Sequence, residues 1–369
     1  MTNADNRGPI AVVLGTRPEI IKLAKITELL GADAHLVHTG QHYDTNLSDV
    51  FFTEFDMRTP DTFIGVGGQS RGEQIGNGTV ALDNLFRSLN PSAVVVQGDT
   101  NAVLAGSLAA NANEIPLVHV EAGLRSFDRR MPEEHNRVAA DHLSDLCLAP
   151  TDLNVANLKA EGIPDEIVVK TGNPVVEAVE RLMPSAEDRA ALLGSSGLES
   201  GQYVLATFHR PENVDTRGTL ESVLEALAAL DVPVHLPLHP RTQQRITDFG
   251  LANTAEKLQI VDPIGYRAFI GLGAEARIII SDSGGVQEEV SVYKRPAVVI
   301  RRSTERQEVE GTFVRRYEPG PALTAQLEQE VALAPQRAQE LAEAPSPYGD
   351  TDAPQRSVDA IRELVDRTS

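Results

Sequence analysis

The sequence predicts an α/β fold built from two Rossmann-like parallel-sheet domains facing a cleft. Short, continuous apolar runs alternate with helix-like stretches from end to end, the pattern of strands buried on both faces of a parallel sheet. These runs fall into two successive series, and repeated βα units wind a sheet twice over. The chain's 369 residues also exceed what one hydrophobic core organises, so two domains are expected.

In the first series the strands are "PIAVVLG", "AHLVHTG", "SAVVVQG", "PLVHVEA" and "EIVVKTG", with helix-like stretches at 18–30, 70–89 and 101–113. A boundary is expected in "TGNPVVEAVERLMPSAED", where Pro174 suits a helix start and Pro184 ends it. The second series reads "YVLATFH", "VPVHLPLH", "LQIVDP", "RIIISDS" and "RPAVVIR". The expected domains are therefore 1–172 and 173–348. Residues 349–369 are expected to supply a C-terminal linker and the helical "VDAIRELVDR", packing back on the N-terminal domain.

Composition narrows the function classes. No run of about 18 apolar residues is present, so no membrane helix is expected. The polar start "MTNADNRG" leads into a strand and does not read as a secretory signal, so a cytoplasmic location is expected. The single cysteine, Cys147, sits in the apolar "LCLAP" and reads as a buried thiol. A net charge of −20 argues against nucleic acid as a partner. Only six of the 33 basic residues are lysine (Lys22, Lys25, Lys159, Lys170, Lys257 and Lys294). An acidic, lysine-poor surface suits concentrated salt, which screens self-repulsion, so a halophilic host is expected.

Ligands of open α/β sheets bind beyond the carboxyl ends of the strands. The first strand there delivers "GTRPEIIK", with Thr16 as N-cap, Pro18 at the first helical position and Arg17 aimed into the crevice. Two consecutive strands end at Asp99 and Glu121. Adjacent carboxylates cannot both ionise cheaply, so one pKa is expected to rise, as acid/base work requires. The alternative is that one caps a helix while the other pairs with Arg125 or Arg137.

The stretch "EAGLRSFDRRMPEEHNR", 121–137, extends this chemistry. Gly123 lets the chain turn, Pro132 opens a helix and thereby aims Glu133, and Arg137 lies one turn further on. Arg129 and Arg130 read as solvated or ion-paired.

"SDSGGVQEE" joins a strand to a helix. Its glycines allow close backbone approach and the helix start offers N–H groups to a phosphate, with Glu289 placed to accept from ribose hydroxyls. His209 ends a strand and is a candidate for the cleft, whereas His119 and His235 lie inside strands and read as core. His38 and His42 span Gly40 and do not form a helical metal pair; no metal is expected. "GVGG" at 65–68 lacks the spacing of a dinucleotide fingerprint, so no nicotinamide cofactor is indicated.

Taken in order, "GTRPE" with Lys22, "QGDTN", "HVEAGLRS", "MPEEHNR", "TGNP", "HRPEN", "DSGGVQEE", "TERQE" and "PYGD" resemble the non-hydrolysing UDP-N-acetylglucosamine 2-epimerases. The match runs from residue 9 to about 365. The resemblance implies the two-domain architecture of the glycosyltransferase-B class, with a C-terminal helix crossing back onto the first domain. It implies interconversion of UDP-GlcNAc and UDP-ManNAc without cofactor or metal: UDP is eliminated with loss of the C2 proton, and re-adds to a 2-acetamidoglucal with protonation from the other face. A homodimer is implied as well.

Asp99, Glu121, Glu133 and His209 fall on the family's catalytic positions, without an assignment of which carboxylate removes the C2 proton. Arg17, Lys22 and Arg137 match its substrate-contacting basic residues. Ser283, Gly284, Gly285 and Glu289 match its UDP cradle, Phe269 its uracil-stacking aromatic, and Arg306 the arginine of "TERPE". Gln41, His42 and His239 match positions of a second, activating UDP-GlcNAc site. Two of that site's usual residues are replaced here, by Pro211 and Asp44, so allosteric activation is expected to be weak or absent. Gln307 replaces the proline of "TERPE" and is expected to alter a loop only.

Three other readings stay open: a hydrolysing 2-epimerase releasing ManNAc and UDP, a glycosyltransferase of the same fold, and a silent UDP-sugar-binding regulator.

Overall fold

The computed structural model describes residues 7–41 and 52–368. The chain divides into two compact units, Met1–Ala178 with Tyr348–Ser369, and Val179–Pro347.

The first unit holds a seven-stranded parallel sheet: β1 (Ile10–Leu14), β2 (Ala34–His38), β3 (Thr62–Phe63), β4 (Ala93–Gln97), β5 (Leu117–Val120), β6 (Leu146–Ala149) and β7 (Val168–Lys170). Their spatial order is β3-β2-β1-β4-β5-β6-β7. β1 and β4 are buried along their whole length, which is why they read as unbroken apolar runs. Val13, Val94 and Val96 pack against Val103, Ala105 and Ala109 of the helix Asn101–Ala112. A Cβ on Gly106 of that helix would stand 2.9 Å from Val96 Cγ1, so glycine sets how closely helix and sheet approach.

The helix Arg71–Leu89 opens on a reciprocal capping box between Ser70 and Glu73. The helix Ala353–Thr368 buries Val358, Ile361 and Leu364, while Arg362 donates to the Leu29 carbonyl and Arg356 to that of Thr171.

The second unit holds six parallel strands: β8 (Val204–Thr207), β9 (Val234–Pro237), β10 (Gln259–Val261), β11 (Ile278–Ser281), β12 (Ala297–Ile300) and β13 (Val314–Tyr317). Their order, β10-β9-β8-β11-β12-β13, repeats that of the first six strands of the other unit and is the dinucleotide-fold order. In each sheet the winding direction reverses once, between β1 and β4 and between β8 and β11, and these are the points where such sheets bind ligands.

Three strands are not anticipated by the sequence pattern. β3 is two residues long, β6 is the brief "LCLA", and β13 is "VRRY", a half-exposed edge strand rich in arginine. β3 and β13 offer no apolar run to signal a strand, while the four apolar residues of β6 are too short to tell a strand from a buried helix segment.

Candidate active site

At the first switch point the loops leaving β1 and β4 are tied together by Glu19. Its carboxylate accepts from the Gly15 N–H at 3.0 Å, Thr16 Oγ1 at 2.8 Å and Thr100 Oγ1 at 2.9 Å. Burial pushes this carboxyl up to about 7, against the lowering effect of those donors.

Asp99 and Glu121 do not form the mutual pair expected of them; each faces a cation of its own. Lys22 Nζ donates to Glu121 Oε2 at 2.6 Å, and Gln97 Nε2 donates to the same oxygen. Glu121 adopts a φ of 72°, a left-handed conformation unusual for a side chain of its size. Strain of this kind at a strand end directs the carboxylate under the Gly98 turn: a Cβ on Gly98 would lie 3.9 Å from Glu121 Oε2. Two residues on, Gly123 has a φ of 84°, and a Cβ there would strike the Asn154 carbonyl oxygen at 2.4 Å. That position requires glycine.

Asp99 is gripped by the Arg137 guanidinium, whose Nε donates at 3.1 Å and whose Nη2 also donates to Oδ2. Arg137 Nη1 donates to Glu134 at 2.6 Å, and Glu134 further accepts from Ser126 and from the Phe127 N–H. Glu134 therefore folds the loop and anchors Arg137. Its neighbour Glu133, in the first turn of the helix Pro132–Leu143, is half-buried, and its side chain has no hydrogen bond or ion pair to any described residue. Adjacent glutamates thus take opposite roles, one consumed by the fold and one left available for chemistry. Arg130 pairs with Asp128 at 2.8 Å, and Arg125 turns inward to Asp141 and Glu161.

In the second unit, β8 leads to His209 two residues beyond its end, and β11 leads into Asp282. His209 Nδ1 lies 3.2 Å from Asp282 Oδ1. Asp282 is fully buried and also accepts from the His209 and Arg210 N–H groups and from Asn213 Nδ2. Burial would raise its pKa, but the His209 imidazole and these donors hold it below the usual carboxylate range. A carboxylate fixed in this way sets the orientation of the imidazole and favours its Nδ1–H form, leaving Nε2 for chemistry. The His239 ring lies 5.6 Å from that of His209.

Ser283 is the N-cap of the helix Gly284–Val292, and its side chain does not cap the helix. A Cβ on Gly284 would stand 3.1 Å from Glu305 Oε1 and 3.3 Å from Arg306 Cζ; one on Gly285 would stand 3.3 Å from Glu289 Oε1. Arg306 is buried, donating to Glu288 at 3.0 Å and to Glu305, which Arg301 also reaches at 2.8 Å. The helix start thus rests on a cluster in which Arg301 and Arg306 meet Glu288 and Glu305, with Glu212 4.0 Å from Arg301. Phe269 is half-buried on the helix Tyr266–Glu275.

The sequence model of the UDP-N-acetylglucosamine 2-epimerase family matches residues 24–362. The chain belongs to this family. It is 40% identical over 311 residues to the UDP-N-acetylglucosamine 2-epimerase of Methanocaldococcus jannaschii, covering 81% of this chain and 85% of that protein. It is 36% identical over 305 residues to the UDP-2,3-diacetamido-2,3-dideoxy-D-glucuronate 2-epimerase of Pseudomonas aeruginosa, covering 80% and 84%. The crystal structure of M. jannaschii UDP-GlcNAc 2-epimerase in complex with UDP-GlcNAc and UDP superposes with a TM-score of 0.86 at 34% identity, over 96% of this chain and 99% of that one. The two parallel-sheet units are those of the glycosyltransferase-B-like epimerases.

Within this family member the predicted residues lie on segments that follow strands of the two sheets. Arg17 opens the helix Arg17–Leu30 and is half-buried. Lys22, on the same helix, is buried against Glu121. Gln41 accepts from the Ala102 N–H at 3.0 Å and so serves the start of the helix Asn101–Ala112; His42 lies outside the described residues. His239 caps the helix Pro240–Asp248, accepting from the Arg241 N–H. Gln307 opens a short 3-10 turn, Gln307–Val309. Two residues escaped the sequence reading, Glu19 and Asp282. Each sits inside a motif already singled out, "GTRPE" and "DSGG", but burial, the property that distinguishes them, is invisible in a string of letters. Among the described residues no helix is long and apolar enough to cross a membrane.

Proposed function

We propose that this protein is a UDP-N-acetylglucosamine 2-epimerase that interconverts UDP-GlcNAc and UDP-ManNAc without hydrolysis. Family membership sets the reaction class. The observation that carries the mechanism is the division of labour at the two switch points. The first supplies carboxylates beside cations, Asp99 with Arg137 and Glu121 with Lys22, and a Glu133 side chain without a partner among the described residues. The second supplies His209 backed by Asp282 and the glycine-rich helix start. Inversion at C2 requires a proton to leave from one face and return to the other, which Asp99, Glu121, Glu133 and His209 can share as acid and base. Departure of UDP requires stabilisation of a diphosphate, for which Arg17 and the N–H groups following Ser283 are suited. Phe269 would stack on uracil, and Glu289 would accept from ribose.

Incubation with UDP-GlcNAc in deuterated buffer, without added nicotinamide or metal, tests this. Deuterium at C2 and an equilibrium mixture with UDP-ManNAc are expected. Free ManNAc with stoichiometric UDP would show a hydrolysing enzyme instead, and no exchange at C2 would overturn the reading. The P. aeruginosa relative favours one further substrate, so UDP-2,3-diacetamido-2,3-dideoxy-D-glucuronate belongs in the same assay. A homodimer is the assembly proposed, and light scattering reads it directly.

A further inference from the structure

His119 lies inside β5 with both ring nitrogens engaged, and both partners are acceptors. Nδ1 is 2.6 Å from Asp141 Oδ1, and Nε2 is 2.7 Å from the Gly98 carbonyl oxygen. A neutral imidazole has one N–H, so at one of these contacts it would set lone pair against lone pair. Only the imidazolium donates to both. The surroundings balance its charge: Asp141 also meets Arg125 at 2.7 Å, and Arg125 meets Glu161 at 2.6 Å. Glu121, at the end of the same strand, is matched by Lys22. Opposite His119 in β6 stands Cys147, whose thiol burial pushes up and so keeps neutral.

Both anchored groups belong to the candidate site. Gly98 precedes Asp99, and Asp141 Oδ2 accepts from the Gly123 N–H at 3.2 Å, in the turn that follows Glu121. We infer that His119 is a positioning residue which, as a buried imidazolium, joins the turn bearing Asp99 to the turn following Glu121. The inference rests on the reading of Asp99 and Glu121 as reacting groups. Burial opposes the charge, but Asp141, the Gly98 carbonyl and Glu121 together outweigh it and raise the His119 pKa, while Asp141 is itself held below the usual carboxylate range. Loss of the proton would keep Nδ1–H on the anionic Asp141 and release Gly98, so the Asp99 turn is the one set free.

Histidine-selective nitrogen NMR of the wild-type protein tests the charge, with the spectrum of His119→Asn assigning the signal. Both His119 nitrogens are expected at imidazolium shifts near neutral pH, and a neutral imidazole overturns the inference. Kinetics test the positioning. Asparagine places its amide nitrogen near the Nδ1 position and glutamine near Nε2, so only His119→Gln keeps a donor for Gly98. In His119→Asn, kcat is expected to fall about 100-fold with KM held within about threefold, and His119→Gln to recover about tenfold of that loss. Equal kcat in the two variants, or a loss carried by KM, overturns it. If neither variant folds, substituting the eight other histidines in turn assigns the His119 signal by elimination, and the wild-type NMR result then decides. A wild-type protein inert on UDP-GlcNAc would sink the epimerase reading alone and leave the NMR result standing.

Discussion

Lys22 Nζ lies 2.6 Å from Glu121 Oε2, and both side chains are almost completely withdrawn from water. A pair this deep is stabilising only while both members are present, because either one alone is an uncompensated buried charge. Lys22→Met is expected to cost about 3–5 kcal/mol in urea unfolding, with Lys22→Met/Glu121→Gln recovering most of the loss. Strictly additive losses would show that the two groups do not act as a pair. Glu121→Gln is also expected to lower epimerisation by roughly 10²–10⁴-fold if Glu121 is an acid or base in the reaction.

Glu19 makes stability fall as pH rises. Its carboxyl titrates near 7 in the folded protein and near 4.5 when unfolded, so between these values the native state holds a proton that the unfolded chain has lost. The unfolded state binds fewer protons there, and unfolding free energy decreases through this window by up to roughly 3 kcal/mol. Glu19→Gln keeps an oxygen for the Gly15 N–H and removes the titration. The variant is expected to be the more stable protein at pH 8, with the difference vanishing near pH 4. A wild-type slope unchanged by the substitution would place the titrating group elsewhere.

The pattern of apolar runs made the sheets legible because parallel strands are buried on both faces, as "AVVVQ" and "IIIS" show. It missed "VRRY", whose edge position lets arginine face water. Strand ends were legible for the same reason, and they led to Asp99, Glu121, His209 and Ser283. Arg137 was offered as a partner for one of the two strand-end carboxylates and meets Asp99, but Lys22 was not foreseen as the cation of Glu121. Lys22 and Glu121 are 99 residues apart, and their contact depends on a helix and a strand closing over one point. Equally hidden was the contrast between Glu133 and Glu134, identical letters side by side, one without a side-chain partner among the described residues and one holding four donors. His119 read as core from its place in a strand. It is buried, but as one member of a charged network.

Asp282 orients the His209 imidazole, which the proposed reaction uses for proton transfer. In Asp282→Asn, an amide N–H can point at Nδ1 and stabilise the tautomer that leaves Nε2 protonated, the wrong form for a base. A fall in kcat of about 10²-fold or more is expected, with KM changed much less. A kcat within twofold of wild type would remove Asp282 from the site's chemistry.

Pro211 opens the short helix Pro211–Val214 directly after His209 and Arg210. The resemblance places an arginine at this position in members that respond to a second UDP-GlcNAc, and proline offers neither charge nor N–H donor. The rate is therefore expected to rise hyperbolically with UDP-GlcNAc. A sigmoidal curve would show that Gln41, His42 and His239 still hold an activating ligand without that guanidinium.

The net charge of −20 gives the last expectation. Like charges spread over a folded surface repel one another more than in an expanded chain, and at about 1 M salt the screening length falls to roughly 3 Å. Exposed pairs such as Lys159–Asp165 and Lys170–Asp152 lose their attraction under the same screening, but each contributes at most about 1 kcal/mol. Buried pairs such as Lys22–Glu121 are screened far less. The balance favours the folded state in salt, so the melting temperature in molar potassium chloride is expected to exceed that in dilute buffer. A lower melting temperature in salt would mean that attractive surface pairs, rather than net repulsion, govern the stability of this acidic surface.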